Sequence, residues 1–155
     1  MDKRILALDI GDRRIGIAVT DPFNSYAMPV DTYWRTHNFF TDVQAMARVA
    51  SERGVGSIVC GLPVHADGTE SEQTQKTLKF IQALQEISNL PVYTEDERFT
   101  SMQAHATLHE QGWKEKKHKK NVDSIAASYI LESYLARKNR EERNKNRKGE
   151  QDYDQ

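Results

Sequence analysis

Two apolar runs near the start of the chain, Arg4 to Ile10 (RILALDI) and Ile15 to Asp21 (IGIAVTD), are separated only by Gly11-Asp12-Arg13-Arg14. The glycine can take the positive φ of a tight connection, so the pattern predicts a β-hairpin. A shorter extended piece is predicted over Met28 to Thr32, where Pro29 suits an edge strand better than a central one. From Phe39 the apolar spacing lengthens to Phe39, Val43, Met46, Ala47 and Ala50, a helical period that Gly54 is placed to end. Ser57 to Cys60 then reads as a short buried strand, and Gly61 to Gly68 (GLPVHADG) as a loop by its proline and its Asp-Gly pair.

Thr69 and Glu72 have the spacing of a capping box, so a helix should follow with Phe80, Ile81, Leu84 and Ile87 on its buried stripe. Pro91 to Thr94 is a further strand, and after Asp96-Glu97-Arg98-Phe99 a second capping box, Thr100 with Gln103, opens a helix towards Gln111 and Gly112. A last helix is predicted over Val122 to Leu135. The order β-β-β-α-β-α-β-α-α argues for an α/β domain with a mixed sheet.

Composition sharpens this outline at both extremes of polarity. The chain has 155 residues, the size of one domain, and a formal net charge of -1 that by itself predicts no partner. Its mean hydropathy is low, -0.76, and much of that comes from the lysine-dense run Lys114 to Lys120 (KEKKHKK) and from the charged stretch after Arg137. The expected division is a folded domain over 1–138 and a disordered charged tail over 139–155, since the tail cannot bury enough surface to offset its ordering entropy. No apolar run reaches the ~20 residues of a bilayer span and the start lacks a signal peptide's apolar region, so a cytoplasmic protein without membrane contact is expected. The lone cysteine, Cys60, reads as a small buried apolar residue.

Two carboxylates are out of place. Alternation puts Asp9 on the face of Ile5 and Ala7 in a strand whose two faces are both apolar. A buried carboxylate needs donors or a cation, which leaves two readings: hydrogen bonds from the Gly11 to Arg14 turn, or a metal. Asp123 extends the stripe Ala127, Ile130, Leu131, Tyr134 backward, so it is either an N-cap or first-turn acid or a ligand on the buried face. Asp96-Glu97-Arg98 stands at a strand end, where such triplets usually face solvent. Spacing alone does not show that these sites converge. If they do, the carboxylates supply hard oxygen ligands for Mg²⁺ or Mn²⁺, and two such ions ~4 Å apart favour in-line attack of water on a phosphodiester.

The segments LALDIGDRRIGIAVTD (Leu6 to Asp21), GLPVHADGTE (Gly61 to Glu70), DERFTS (Asp96 to Ser101) and VDSIAASYIL (Val122 to Leu131) together resemble the YqgF family. This family is also called RuvX, or Holliday junction resolvases, and has a ribonuclease H-like fold. The likeness covers roughly residues 3 to 137. It implies Asp9, Glu97 and Asp123 as an acidic catalytic triad that binds two divalent ions, and a nuclease acting on structured nucleic acid, either the precursor of the small-subunit ribosomal RNA or branched DNA. Around that triad Arg14 and Arg98 are candidate phosphate contacts, with a salt bridge as the alternative for each. Lys116, Lys117, Lys119 and Lys120 are candidates for nucleic-acid binding, with a solvated basic loop as the alternative. A monomer or a homodimer fits equally. Two rival readings are a nucleic-acid-binding module without catalysis and a phosphate-binding ATPase-like domain, the latter suggested by Asp9-Ile10-Gly11 before a hairpin.

Overall fold

The alternation in the first two runs folds as read: β1 (Ile5–Ile10) and β2 (Arg14–Thr20) form an antiparallel hairpin whose turn is closed by the Gly11 amide donating to the Arg14 carbonyl at 2.8 Å. Gly11 does not take the positive φ expected of it; a Cβ there would instead stand 2.9 Å from the Arg14 carbonyl oxygen. In the computed structural model, which describes residues 2–98 and 115–153 and the side chains of 2–98 and 122–148, three further strands and three helices follow. They are β3 (Ala27–Trp34), α1 (Phe39–Glu52), β4 (Ser57–Leu62), α2 (Glu72–Ser88), β5 (Val92–Asp96) and α3 (Glu115–Tyr153). The strands make one sheet in the order β3-β2-β1-β4-β5, antiparallel across β1, β2 and β3 and parallel across β1, β4 and β5. Pro29 lies on the edge strand β3, where its missing N–H interrupts no inner ladder. The helix expected from Thr100 lies outside the described residues.

Each face of the sheet buries its own cluster. Leu6, Leu8, Ile10, Ile15, Ile17, Val19, Ile58 and Cys60 meet α1 and α2 through Val43, Met46, Ala50, Phe80, Ile81 and Leu84. Ile5, Ala7, Ala18 and Val59 meet α3 through Ala127, Ile130, Leu131 and Tyr134. The sequence signals hold with instructive exceptions. Gly54 ends α1 at φ +63°. The capping box of α2 is Ser71 with Thr74, not Thr69 with Glu72, because Asp67 already accepts both the amide and the hydroxyl of Thr69. Ile87 is 40% exposed, the α2 stripe having turned away from the sheet by its last turn. Beyond residue 135 the expected tail is helical as far as Tyr153 and exposed at every position from 136 to 148. Its strong helix formers and the Arg137–Glu141 pair account for continued winding without a packing partner. Among the described residues no helix is long and apolar enough to cross a membrane.

Candidate active site

Residues paired across neighbouring strands share a face, and the register lets that face be followed from one sheet edge to the other. Trp34 pairs with Arg14, and Gly16, the next residue of β2 on that face, pairs with Asp9. On the parallel side Val59 pairs with Tyr93 and Gly61 with Glu95, so Glu97, just past β5, continues the same face. All lie on the side covered by α3, and Asp9, Gly61 and Glu97 stand at the carboxyl ends of the parallel strands, where open α/β sheets place their sites. The Glu97 amide extends the ladder by donating to the Leu62 carbonyl at 3.2 Å.

Two glycines make room for the carboxylates there: Gly61, expected only to shape the loop at the strand ends, and Gly16, to which the sequence assigns no role. A Cβ on Gly16 would stand 1.9 Å from the Asp123 carbonyl oxygen, so only glycine lets α3 settle over the strand beside Asp9. A Cβ on Gly61 would stand 2.5 Å from both Cγ and Oε1 of Glu97, whose side chain lies across that bare backbone. Burial first, then the neighbouring Asp9 carboxyl, then Asp96, push the Glu97 carboxyl well above the ordinary carboxylate range. The buried Cys60 thiol, on the opposite face of the sheet, is raised as well, by burial and then by these two acids. Asp9 therefore has Glu97 beside it, while the turn after it closes through its own backbone.

Asp123 sits well inside α3 rather than in its first turn, so it is no N-cap. Its Oδ2 forms an ion pair with the Arg14 guanidinium, 3.1 Å from Nε. Arg98 donates through Nε and Nη2 to Asp96, each at 2.7 Å, and through Nη1 to the Ala66 carbonyl, which ties the Gly61 to Gly68 loop to the residue after Glu97. The salt-bridge alternative is thus the observed state of both arginines. Lys116, Lys117, Lys119 and Lys120 fall on the opening turns of α3 rather than in a loop, at residues whose side chains are outside those described.

The donor set suits a hard cation in its chemistry: carboxylate oxygens, of which the buried Glu97 Oε1 and Asp123 Oδ2 accept no hydrogen bond. It is not a closed cage, since no three acidic, His or Cys side chains among the described residues stand at metal-holding spacing. Asp9 and Glu97 are together; Asp123 is alongside but engaged by Arg14.

Known proteins give this arrangement its context. Thermus thermophilus RuvC, solved in complex with a Holliday junction substrate, superposes with a TM-score of 0.59 at 10% identity, covering 86% of this chain and 95% of that one. A second Thermus thermophilus RuvC structure gives 0.53 at 14% identity, covering 88% and 96%. The fold is thus the ribonuclease H-like one, a mixed sheet between helices with acids at the carboxyl ends of its strands. The chain belongs to the RuvX family, described as Holliday junction resolvase, whose model matches residues 3–137. A Clostridium kluyveri protein named "Putative pre-16S rRNA nuclease" is 40% identical over 134 residues, 86% of this chain and 97% of that protein. One of the same name from Koribacter versatilis is 41% identical over 135 residues, 87% and 88% of the two chains. The chain is an enzyme of the hydrolase class, a nuclease.

Proposed function

We propose that the chain is a divalent-metal-dependent endonuclease that hydrolyses phosphodiester bonds in structured nucleic acid, with the precursor of the small-subunit ribosomal RNA as its substrate. The observation that carries this reading is the convergence of three acids at the carboxyl edge of the sheet: Asp9 paired with Gly16, Glu97 lying against Gly61, and α3 seated on Gly16 so that Asp123 stands beside them. The names of the relatives support the RNA substrate. Asp9, Glu97 and Asp123 would hold Mg²⁺ or Mn²⁺, two ions in the working form; when bound these supply an activated water and charge stabilisation of the leaving oxygen. With a cation bound, Glu97 would serve as a carboxylate ligand and Asp123 would turn from Arg14 to the ligand set, which would leave the Arg14 charge beside the site for a phosphate.

The test is cleavage of a precursor rRNA fragment and of a four-way DNA junction side by side, with Mg²⁺ or Mn²⁺ and with EDTA, for the parent chain and for Asp9→Asn and Glu97→Gln. Parent activity should require the metal and prefer the RNA, and each variant should lose at least a hundredfold. Variants that fold and cut like the parent would sink the triad assignment. Binding of either substrate without cutting, under all metals, would favour the non-catalytic module instead.

A further inference from the structure

A tryptophan exposed at the rim of a carboxylate site asks for an explanation that packing does not provide. Trp34 closes the edge strand β3, is 67% exposed, and pairs directly with Arg14 on the face that carries Asp9. The Arg14 guanidinium carbon lies 5.4 Å from the Trp34 ring centroid while its Nε holds Asp123. One arginine thus joins the aromatic ring to the acidic site. Asp9 is level with Gly16 and Thr32, so Trp34 lies two strands across and two residues along from it, roughly 12 Å at normal strand geometry. An aromatic ring with an open face, beside a cation that can meet a phosphate, is the chemistry that receives an unstacked base.

We propose that Trp34 is a base-stacking platform, taking an unpaired nucleobase next to the phosphodiester held at Asp9 and Glu97. This rests on the nuclease reading and adds to it a preference: the enzyme favours sites where the strand is single or frayed, because a paired base offers Trp34 no free face. A π-face is shared by every base, so the contact is tolerant of sequence. Arg14 braces the ring from its side and, once Asp123 lets go, meets the phosphate of the same strand.

The experiment measures equilibrium binding of labelled single-stranded oligoadenylate, an abasic strand of equal length and a blunt duplex. It is run with Mg²⁺ in a Glu97→Gln background that binds without cutting, for chains carrying Trp34, Trp34→Phe or Trp34→Leu. Circular dichroism and thermal melting of each chain establish that it is folded. Trp34→Leu should weaken oligoadenylate binding about tenfold, Trp34→Phe by much less, and neither should change binding of the abasic strand or the duplex. Equal affinity of all three chains for oligoadenylate overturns the platform, as does an equal loss on the abasic strand. If the chain carrying Trp34 binds none of the probes, the nuclease reading itself fails, and the proposal with it.

Discussion

At the scale of single residues the site is shaped by absent side chains as much as by present ones. Gly16 and Gly61 lie on the same face of the sheet, yet the atoms that a methyl group would meet differ in kind. At Gly16 they are the backbone carbonyl and Cα of Asp123, at 1.9 and 3.0 Å, which move only if α3 moves. At Gly61 they are side-chain atoms of Glu97, at 2.5 to 2.6 Å, which can swing. Gly16→Ala should therefore cost about 1–3 kcal/mol of stability by overpacking, read in a urea melt. Gly61→Ala should melt nearly as the parent does but cut about a hundredfold more slowly, because a carboxylate displaced by an ångström no longer meets the reacting atoms. Cleavage at the parent rate by Gly61→Ala would show that Glu97 need not lie against β4.

At the scale of elements, the start of α1 is fastened by a buried acid that its apolar stripe does not announce. Asp42 is 1% exposed and accepts from the Thr36 amide and hydroxyl, the Tyr33 hydroxyl and Arg35 Nε, while Arg35 also donates to the Gly11 carbonyl at 2.8 Å. Burial alone would raise the Asp42 carboxyl; the donors from Thr36, Arg35 and Tyr33 more than offset it and hold it below the ordinary range. A folded value below the unfolded one gives stability that is full above about pH 3.9 and lost as pH falls through the folded value. Asp42→Ala should then be less stable than the parent by roughly 3 kcal/mol at neutral pH, with the gap narrowing below about pH 4. A gap of constant size from pH 7 to pH 3, measured by denaturant unfolding, would refute this. The strands and helices were legible because their periods repeat over many residues, and Asp9 was legible because it interrupts one. Asp42 was hidden by the same logic in reverse: a polar residue next to Val43 reads as the solvent side of a stripe until β3 brings Tyr33 and Arg35 against it. Likewise Asp123 and Arg14 could each be singled out, but their pairing depends on how closely α3 approaches at Gly16. No local pattern encodes that distance.

At the scale of the whole molecule, α3 serves the fold only as far as Arg137. That residue binds Glu95 at 2.8 Å and caps the Tyr134 ring, which stacks on Tyr93 and locks the helix to β5. From 138 to 148 every described residue is exposed, and the family match also stops at 137. Residues 139–155 hold five basic and five acidic side chains, so the segment adds no net charge to a chain that totals -1. A chain ending at Lys138 should therefore keep the fold, losing little more than the exposed Arg137–Glu141 pair, about 0.3–0.5 kcal/mol. It should also keep its nucleic-acid affinity and the dependence of that affinity on salt. Replacing Lys116, Lys117, Lys119 and Lys120 by Gln should instead flatten the salt dependence, by about 0.7–0.9 in log–log slope for each lysine that meets a phosphate. Binding isotherms from low to moderate salt separate the two cases. A truncated chain with a flatter slope would mean that the distal turns of α3 lie along the nucleic acid, and the substrate path would then run over the whole length of that helix rather than over its first turns and the Trp34 edge.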